Sequence, residues 1–465
     1  MSTPPHTART QLSLAFRDGM LWLDREPEQT PVFTNTFFRR HPLGVWVAPA
    51  YRYPSILGFC AAHSIALDDR AAQFFAANDL THQESLDPFD FQKEAIEAWE
   101  KAGRRGIVVL PTGAGKSFMT RLLLARIAIE DAQCSALIVV PTRALLYQWH
   151  AQLHAAFDQE IGVVGDDLFD LQPITMTTYA SARIHMSHLG NRWKLVVYDE
   201  VHRKMGKGTS SNAATFCVAP FRLALTATPS SRDLPLLTEL IGPVVYEKST
   251  DDLIERQVLS TYETIKVHLS PTRKEVEKFH RIKQPMESVR SRAKQQHRIQ
   301  DGSWLVRERY YYPDEVALAQ RSLLQAYRYW QSLPSRFARL EEILLKHPQD
   351  RIIVFTESRW AAYEVSRRFL IPPVTADIDS DERAFYLKAF AHGKCRALVT
   401  AKALEEGIDL PDANVAVILA GRRQRKTETI SYIQRRGRIL RKRSGKHARV
   451  YEIAWAAPQS KRGAP

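Results

Sequence analysis

The feature that most constrains the fold is a glycine-rich loop, Leu-Pro-Thr-Gly-Ala-Gly-Lys-Ser, at residues 110–117. It follows an apolar run at residues 107–110 that suits a buried parallel strand, and it precedes a segment at 118–129 whose apolar residues recur at helical spacing. A strand, a glycine loop and a helix in this order place backbone N–H groups and the positive end of the helix around one phosphate. The loop therefore predicts a phosphate-binding site inside an α/β domain.

The individual positions of this loop match the needs of ATP bound with Mg2+. The residues that we assign to the phosphate cradle are Thr112, Gly113, Ala114 and Gly115. Lys116 is expected to reach the β- and γ-phosphates, and the Ser117 hydroxyl is expected to ligate Mg2+. Pro111 stands where the longer phosphate-loop pattern has its first glycine, so the match is not literal. A simple glycine turn before a helix is the alternative interpretation.

A second motif supplies the acidic groups that such a site requires. Residues 195–202 read Leu-Val-Val-Tyr-Asp-Glu-Val-His, an apolar strand that ends in two carboxylates, at the end where α/β sheets bind ligands. Asp199 is predicted to hold Mg2+ through its water shell, and Glu200 to orient and deprotonate the attacking water. His202 is predicted to relay between nucleotide and nucleic acid. A solvated turn is the alternative for an acidic pair, and the phosphate loop upstream argues against it.

Three further positions are predicted to support the ATP site. Gln92 opens an amphipathic helical segment, where its amide can read an adenine edge while Phe89 or Phe91 stacks on the base. A solvated glutamine on a helix surface is the alternative. Thr226 and Thr228 end an apolar strand in the sequence Thr-Ala-Thr-Pro, and their hydroxyls are predicted to couple the acidic pair to the second half of the chain.

Several other apolar strands end in hydroxyl-bearing residues, which suits contact with the backbone of a nucleic acid. The candidates are Pro141, Thr142, Arg143 and Thr178 in the first half, and Thr356 and Thr400 in the second half. We predict that these strand ends line a nucleic-acid track.

The distribution of charge points to the same partner. The chain has 65 Lys and Arg against 51 Asp and Glu, a net charge of +14. Residues 421–450 hold twelve basic residues and one acidic residue, and residues 271–300 hold nine and three, so these two segments carry more than the whole excess. A polyanion is the expected partner, with nucleic acid first, and a basic face kept for solubility is the alternative. Near residues 304–312, aromatic and basic residues interleave, which indicates either an arm that grips a backbone or a linker helix pair.

The second half of the chain contributes its own candidates for the ATP site. In Glu-Gly-Ile-Asp-Leu-Pro at residues 406–411, Gly407 allows close approach of the backbone, and Asp409 can bond a ribose hydroxyl or an arginine. Gln434, Arg438 and Arg441 share one helical face because they are spaced by four and three residues. Such arginines can stabilise charge that develops on the γ-phosphate, and a basic helix that binds nucleic acid is the alternative.

The length of 465 residues predicts about three domains. The motifs divide the chain into four segments: 1–85 for an N-terminal accessory module, 86–250 for the ATP-binding domain, 251–345 for a linker with a basic insertion, and 346–465 for a second α/β domain. Alternating apolar residues around Asp18-Gly19 predict a β-hairpin in the first of these. No apolar run approaches the roughly 20 residues that span a membrane, so the expected compartment is the cytoplasm, at the nucleoid, in a prokaryote or the nucleus in a eukaryote.

In this order, these motifs resemble those of the superfamily 2 helicases and translocases of the DEAD/DEAH type. The Asp-Glu-Val-His motif and the segment from Arg422 to Tyr451 look most like the XPB-type excision-repair DNA helicases. The resemblance implies an α/β fold with two RecA-like parallel-sheet domains in tandem, a small α+β N-terminal module and a helical, thumb-like insertion. It also implies that the two domains close on ATP while DNA lies across both. Phe89 replaces an arginine expected beside the adenine, and only Ser231-Arg232-Asp233 approaches the Arg-Glu-Asp element of XPB-type proteins.

The expected function is therefore that of an ATP-dependent DNA helicase or duplex-DNA translocase, with a role in DNA repair. Duplex or forked DNA is the expected partner, a nuclease or repair protein is a further candidate, and the protein is expected to be a monomer. An RNA helicase is the nearest alternative. A non-catalytic scaffold that binds nucleic acid and only senses ATP is the alternative from another class.

Overall fold

The computed structural model describes residues 12–24, 31–76, 87–131, 134–201, 211–227, 229, 231–256, 258, 262–297, 304–375, 377–401, 413–419 and 448–455. The chain forms two compact units. Among the described residues, the first comprises those up to 256 and the second those from 258 onwards. Each unit has its own parallel sheet and its own core.

The first unit begins with a small mixed sheet. Its elements are β1 (Leu12–Arg17), β2 (Met20–Leu23), α1 (Pro31–Phe37), β3 (Arg39–Arg40), β4 (Trp46–Pro49), a 3-10 helix (Ala50–Arg52), α2 (Tyr53–Ala62) and β5 (Leu67–Arg70). The predicted hairpin joins β1 to β2, with positive φ at both Asp18 and Gly19. The strand order is β3-β4-β2-β1-β5, and only β1 and β5 are parallel. Val218 from the following domain is buried in the core of this module, which joins the two parts in one unit.

The large sheet of the first unit is parallel except for its last strand. Its strands are β6 (Arg105–Val109), β7 (Ala136–Val140), β8 (Gly162–Gly165), β9 (Leu168–Phe169), β10 (Ile174–Thr178), β11 (Leu195–Asp199), β12 (Phe221–Thr226) and β13 (Val244–Glu247). Its helices are α3 (Asp90–Lys101), α4 (Lys116–Glu130), α5 (Arg143–Ala156), α6 (Tyr179–Leu189), α7 (Asn212–Thr215), α8 (Leu234–Leu240) and α9 (Thr250–Glu255). The strand order is β13-β6-β12-β11-β7-β10-β8-β9. The central strands are apolar throughout because helices cover both faces of a parallel sheet.

This strand order decides where the chemistry lies. All the parallel strands end at the same edge, so the loops after β6, β7, β10, β11 and β12 emerge side by side. The N–H of Leu110, after β6, donates to the carbonyl of Thr226, at the end of β12, at 2.9 Å. The phosphate loop and the acidic pair therefore follow strands separated by one intervening strand.

The second unit contains a six-stranded, fully parallel sheet. Its strands are β14 (Tyr262–Leu269), β15 (Ile352–Phe355), β16 (Pro373–Val374), β17 (Ala397–Thr400), β18 (Val415–Leu419) and β19 (Ala448–Trp455), in the order β14-β19-β18-β15-β17-β16. Its helices are α10 (Arg273–His297), α11 (Trp304–Tyr311), α12 (Pro313–Gln331), α13 (Pro334–Lys346), α14 (Arg359–Phe369) and α15 (Ser380–Ala391). The predicted α/β class with parallel sheets in tandem is confirmed.

The segment predicted as a linker with a basic insertion contains both a strand and helices. β14 pairs along its whole length with β19, so it is an edge strand of the second sheet. Helices α10, α11 and α12 pack together, and Arg292 pairs with Glu308 and Glu315 while its guanidinium lies 4.1 Å from the ring centre of Tyr312. Tyr310 and Tyr311 are exposed on α11. The predicted boundaries near residues 85, 250 and 345 stay predictions.

No helix among the described residues is both long and apolar enough to cross a membrane.

A buried arginine in the large sheet of the first unit connects the segments around α7 and α8. Arg222, in β12, is fully buried. Its guanidinium donates to the backbone carbonyls of Ala214, Cys217, Ala219 and Leu240. These carbonyls belong to separate segments around α7 and α8, so one side chain fixes several loops.

We predict that Arg222→Met lowers the free energy of unfolding of the first unit by about 3 kcal/mol or more, because it leaves buried carbonyls without donors. The melting temperature should fall by about 10 °C, measured by circular dichroism. Arg126→Met is the control. Arg126 forms half-exposed pairs with Glu100 and Glu130, which contribute at most about 1 kcal/mol. Equal melting temperatures for the two variants would contradict this account.

Candidate nucleotide-hydrolysis site

The phosphate loop joins β6 to α4 as the sequence predicts. Gly113 and Gly115 have φ values of 90° and 74°, a backbone conformation that favours glycine. Gly115 caps α4, and Lys116 is the first residue of that helix. The loop therefore lies at the positive end of a fifteen-residue helix, which favours an anion.

Gln92 braces this loop from the neighbouring helix α3. Its side chain is buried, its Nε2 donates to the carbonyl of Ala114 at 3.0 Å, and its Oε1 accepts from the N–H of Phe89 at 3.1 Å. The amide thus has partners at both ends within the protein, and its contact with adenine stays a prediction. Phe91 is buried, whereas Phe89 is 52% exposed and stacks on it. Of the two rings proposed to stack on the base, only that of Phe89 is open to a ligand.

The acidic pair is held by an unusual backbone conformation and by several donors. Asp199 ends β11 and is buried, and its Oδ1 accepts from the N–H of Glu200 at 3.0 Å. Its Oδ2 accepts from Trp149 Nε1 at 3.0 Å. The hydroxyl of Tyr179 donates to the main-chain oxygen of Asp199 at 2.9 Å. Glu200 has a φ of 49°, which is rare for a residue with a side chain and is typical of functional sites.

Lys116 connects the loop to the acidic pair. Its Nζ lies 3.6 Å from Glu200 Oε1 and donates to the carbonyl of Leu110 at 3.2 Å. Burial and then the charge of Glu200 raise the pKa of Asp199, Lys116 and Trp149 oppose this rise, and the net pKa is about 7. Lys116 therefore acts on both carboxylates.

The residues present fit a nucleoside triphosphate with Mg2+. A divalent cation beside Asp199 would stabilise the carboxylate charge that burial and the neighbouring Glu200 disfavour. Thr112 offers a second sign: its Oγ1 is buried and has no hydrogen-bond partner among the described residues. Ser117 and Asp199 are the oxygen donors that would hold Mg2+, and the loop N–H groups with Lys116 would hold the phosphates.

The predicted nucleic-acid contacts of the first unit lie at helix starts on the same edge of the sheet. Thr142 caps α5 by accepting from the N–H of Leu145, and Thr178 caps α6 by accepting from the N–H of Ser181. Pro141 is half-buried, directly before the cap of α5. Arg143 is exposed and pairs with Asp166 at 2.5 Å. The structure brings these residues together at one edge, and their contact with nucleic acid stays a prediction.

The predicted contacts of the second unit are buried. Thr356 donates its hydroxyl to the carbonyls of Ser358 and Thr400, and Thr400 donates its own hydroxyl to the carbonyl of Val374. Both side chains fix the ends of β15 and β17, and in this structure neither is available to a nucleic acid. Thr226 is also buried, at the end of β12. The predicted site residues that lie outside the described residues are His202, Thr228, Gly407, Asp409, Gln434, Arg438 and Arg441.

Sequence reasoning missed two residues of this site, Trp149 and Tyr179. Each is an aromatic residue on an amphipathic helix, and such residues are usually core. Their contact with Asp199 depends on how α5 and α6 pack on the sheet, which no local motif encodes. The only signal in the sequence is an aromatic side chain with a polar atom after a strand-end threonine, seven residues later for Trp149 and directly after it for Tyr179.

The sheet, the loop and the acidic pair together define a nucleotide hydrolase of the phosphate-loop class. The family model for the res subunit of type III restriction enzymes matches residues 85–231, and the model for the helicase conserved C-terminal domain matches residues 335–443. The chain is 32% identical to the DNA 3'-5' translocase XPB2 of Sulfurisphaera tokodaii, with 95% of this chain and 94% of the relative covered. It therefore belongs to the XPB family of superfamily 2 helicases.

Another relative is the DNA 3'-5' helicase XPB of Mycobacterium tuberculosis, which is 27% identical over 80% of this chain. The chain spans only 61% of that protein's length. Family membership confirms the predicted resemblance and the predicted class of enzyme, an ATPase of the helicase type.

A solved structure of the Hef helicase domain of Pyrococcus furiosus has the same fold. It superposes with a TM-score of 0.52 over 81% of this chain and 97% of that one, at 17% sequence identity. The likeness confirms the predicted tandem RecA-like architecture.

Gln92 packs so closely against the loop that it leaves little room for a side chain at Gly115. A Cβ at this position would lie 2.7 Å from Gln92 Nε2, and the positive φ adds backbone strain. We predict that Gly115→Ala weakens ATP binding by about tenfold or more, because the amide brace and the cradle cannot both keep their positions. The measurement is binding of a fluorescent ATP analogue.

The matched control is Gly103→Ala. Gly103 has nearly the same φ, 75°, and no atom within 4 Å of the added Cβ. It carries the strain of the backbone without the clash, so its ATP affinity should stay within about twofold of wild type. A similar loss of affinity in both variants would attribute the effect to general strain and contradict the role of Gln92.

Proposed function

We propose that this protein is an ATP-dependent DNA translocase or helicase that acts in DNA repair. The observation that carries the proposal is the cluster of Lys116, Asp199 and Glu200 beside the phosphate loop, in a chain of the XPB family. The presence of these three groups beside the loop argues against a scaffold that only senses ATP. The relatives named above are a DNA translocase and a DNA helicase, which favours DNA over RNA.

The residues of the first unit divide the work of ATP hydrolysis. The loop from Thr112 to Ser117 would bind the phosphates, and Ser117 and Asp199 would hold Mg2+, which would neutralise charge on the phosphate oxygens. Glu200 orients the attacking water and accepts its proton. Gln92 fixes the loop through Ala114 and has a further N–H that can contact the base.

Lys116 also contacts the proposed general base. Its ammonium nitrogen lies 3.6 Å from a carboxylate oxygen of Glu200. The group that would bind the phosphates and the group that would accept the proton of the attacking water are therefore adjacent.

Other residues are assigned by the family motifs that they match. Arg438, Arg441 and Gln434 act on the γ-phosphate, while Gly407 and Asp409 contribute to nucleotide binding. Thr226, Thr228 and His202 couple hydrolysis to movement on DNA. The basic residues of α10 and the strand ends at Pro141 to Arg143 and at Thr178 contact the DNA backbone.

The substrate, the partner and the cellular compartment are proposed from the family alone. Duplex or forked DNA is the substrate, and a repair protein or a nuclease is the expected partner. We infer that the protein works as a monomer at chromosomal DNA, in the nucleoid of a prokaryote or the nucleus of a eukaryote.

We predict that duplex DNA raises the ATP turnover of the wild-type chain more than RNA of equal length does. Lys116→Ala and Glu200→Gln should each reduce the DNA-stimulated turnover by about 100-fold or more, because each removes a group that acts on the reacting phosphate. Glu200→Gln should still bind ATP, since the loop is intact. The measurements are steady-state phosphate release and binding of a fluorescent ATP analogue.

Lys101→Ala and Glu97→Gln are the controls, because these residues form only an exposed pair on α3. They should keep wild-type turnover. Full DNA-stimulated turnover in Lys116→Ala would exclude this loop as the ATP site. Stronger stimulation by RNA than by DNA would favour the RNA helicase.

We predict that Arg438→Ala also lowers turnover, by about 100-fold, and leaves the affinity for ATP within a few-fold of wild type, because its charge acts in the transition state. Arg443→Ala, a basic residue outside the predicted helical face, is the control. An equal loss of turnover in both variants would indicate a general role of the basic segment in binding DNA.

A further inference from the structure

Two aromatic side chains hold Asp199 from two different helices. Trp149 Nε1 donates to the Asp199 carboxylate, and the Tyr179 hydroxyl donates to its main-chain oxygen, at 3.0 and 2.9 Å. Both aromatic residues are buried. With the N–H of Glu200 on Oδ1, every oxygen of Asp199 has a donor from the protein. The orientation of this carboxylate is thus set jointly by β11, α5 and α6.

Both helices begin at strand ends that the proposed function places against DNA. Thr142 caps α5, and Trp149 follows it by two helical turns, about 10 Å along the axis. Thr178 caps α6, and Tyr179 is the first residue of that helix. An α-helix transmits a displacement of its first turn along its length, so a shift at either cap reaches Asp199 through one side chain.

An exposed ion pair also holds the start of α5. Arg143 pairs with Asp166 at 2.5 Å, and the hydroxyl of Tyr147 donates to the other oxygen of the same carboxylate at 2.5 Å. Arg143 is 71% exposed, so its ion pair is weak and open to competition. A phosphate of a bound polynucleotide can take the place of Asp166 on the guanidinium. In this structure the first turn of α5 is therefore anchored by an ion pair that a phosphate could replace.

We propose that Trp149 and Tyr179 are positioning residues that couple the occupancy of these strand ends to the geometry of Asp199, and so to the affinity for Mg2+ and nucleotide. This inference rests on the proposed function. Neither residue touches the reacting atoms. By linkage, any gain in nucleotide affinity when DNA binds must appear as an equal gain in DNA affinity when nucleotide binds.

The test uses Trp149→Phe and Tyr179→Phe in the full chain. Tyr179→Phe removes only the hydroxyl, whereas Trp149→Phe also shrinks a buried ring, so its control must lose the same volume. The controls are Trp99→Phe and Tyr198→Phe. Trp99 Nε1 donates to the carbonyl of Arg222 at 2.9 Å, and the Tyr198 hydroxyl donates to the carbonyl of Ala213 at 3.2 Å. Both control residues are as buried as the tested ones, but neither donates to Asp199.

The readout is equilibrium binding. Affinity for a fluorescent, non-hydrolysable ATP analogue is measured against Mg2+ concentration, with and without duplex DNA, and DNA affinity is measured with and without the analogue. In the wild type, DNA should raise nucleotide affinity by a coupling factor within the usual range of about 5 to 150. In Trp149→Phe this factor should fall towards one, and the Mg2+ concentration for half-saturation should rise about tenfold, because Oδ2 loses its buried donor.

Tyr179→Phe should reduce the coupling factor with a smaller change in Mg2+ dependence, since its bond is to the main chain. Tyr179→Phe is nearly isosteric, so it still tests the inference if Trp149→Phe lowers the melting temperature too far for binding to be measured. Coupling factors equal to those of the controls in both variants would overturn the inference and leave the proposed function standing. A wild-type chain that binds the analogue with no response to DNA would overturn both.

Discussion

The site depends on a carboxylate buried at the end of a parallel strand. Asp199 is desolvated, and Glu200 follows it directly, so its charge is costly unless nearby groups stabilise it. Trp149, the N–H of Glu200 and the ammonium of Lys116 supply that stabilisation, from three separate segments of the first unit. Mg2+ would complete it. The cost of burying this charge explains why so many donors converge on one residue.

The same constraint accounts for the backbone around the site. Glu200 occupies the left-handed region, which aims its N–H at Asp199 and its carboxylate towards Lys116. Gly115 has a similar conformation next to the buried amide of Gln92, where no Cβ fits. Strain at Glu200 and the absence of a side chain at Gly115 thus occur in the two loops that form the site.

Family membership and the structure support the function in different ways. Membership of the XPB family assigns the chain to the helicases. The structure places a lysine and two carboxylates beside the phosphate loop, which is an arrangement that suits ATP hydrolysis. The N-terminal module shares a core residue, Val218, with the ATP-binding domain. The mixed sheet therefore braces that domain, whatever else it contacts.

The sequence by itself determined the class of fold and the chemistry of the site. Apolar strands that end in Gly-Ala-Gly-Lys-Ser and Asp-Glu encode their local structure and their ligands within a few residues, so the loop, Lys116, Asp199 and Glu200 were predictable. The pairing of β14 with β19 was not, because the two strands are far apart in the chain. The buried hydroxyls of Thr356 and Thr400 were not predictable either. In the sequence both threonines end a strand, as a residue that contacts nucleic acid can, but in the structure their hydroxyls donate to backbone carbonyls. Only the tertiary structure brought Trp149 and Tyr179 to Asp199, since hydrogen bonds between elements depend on how helices pack on a sheet, and a linear motif carries no record of that packing.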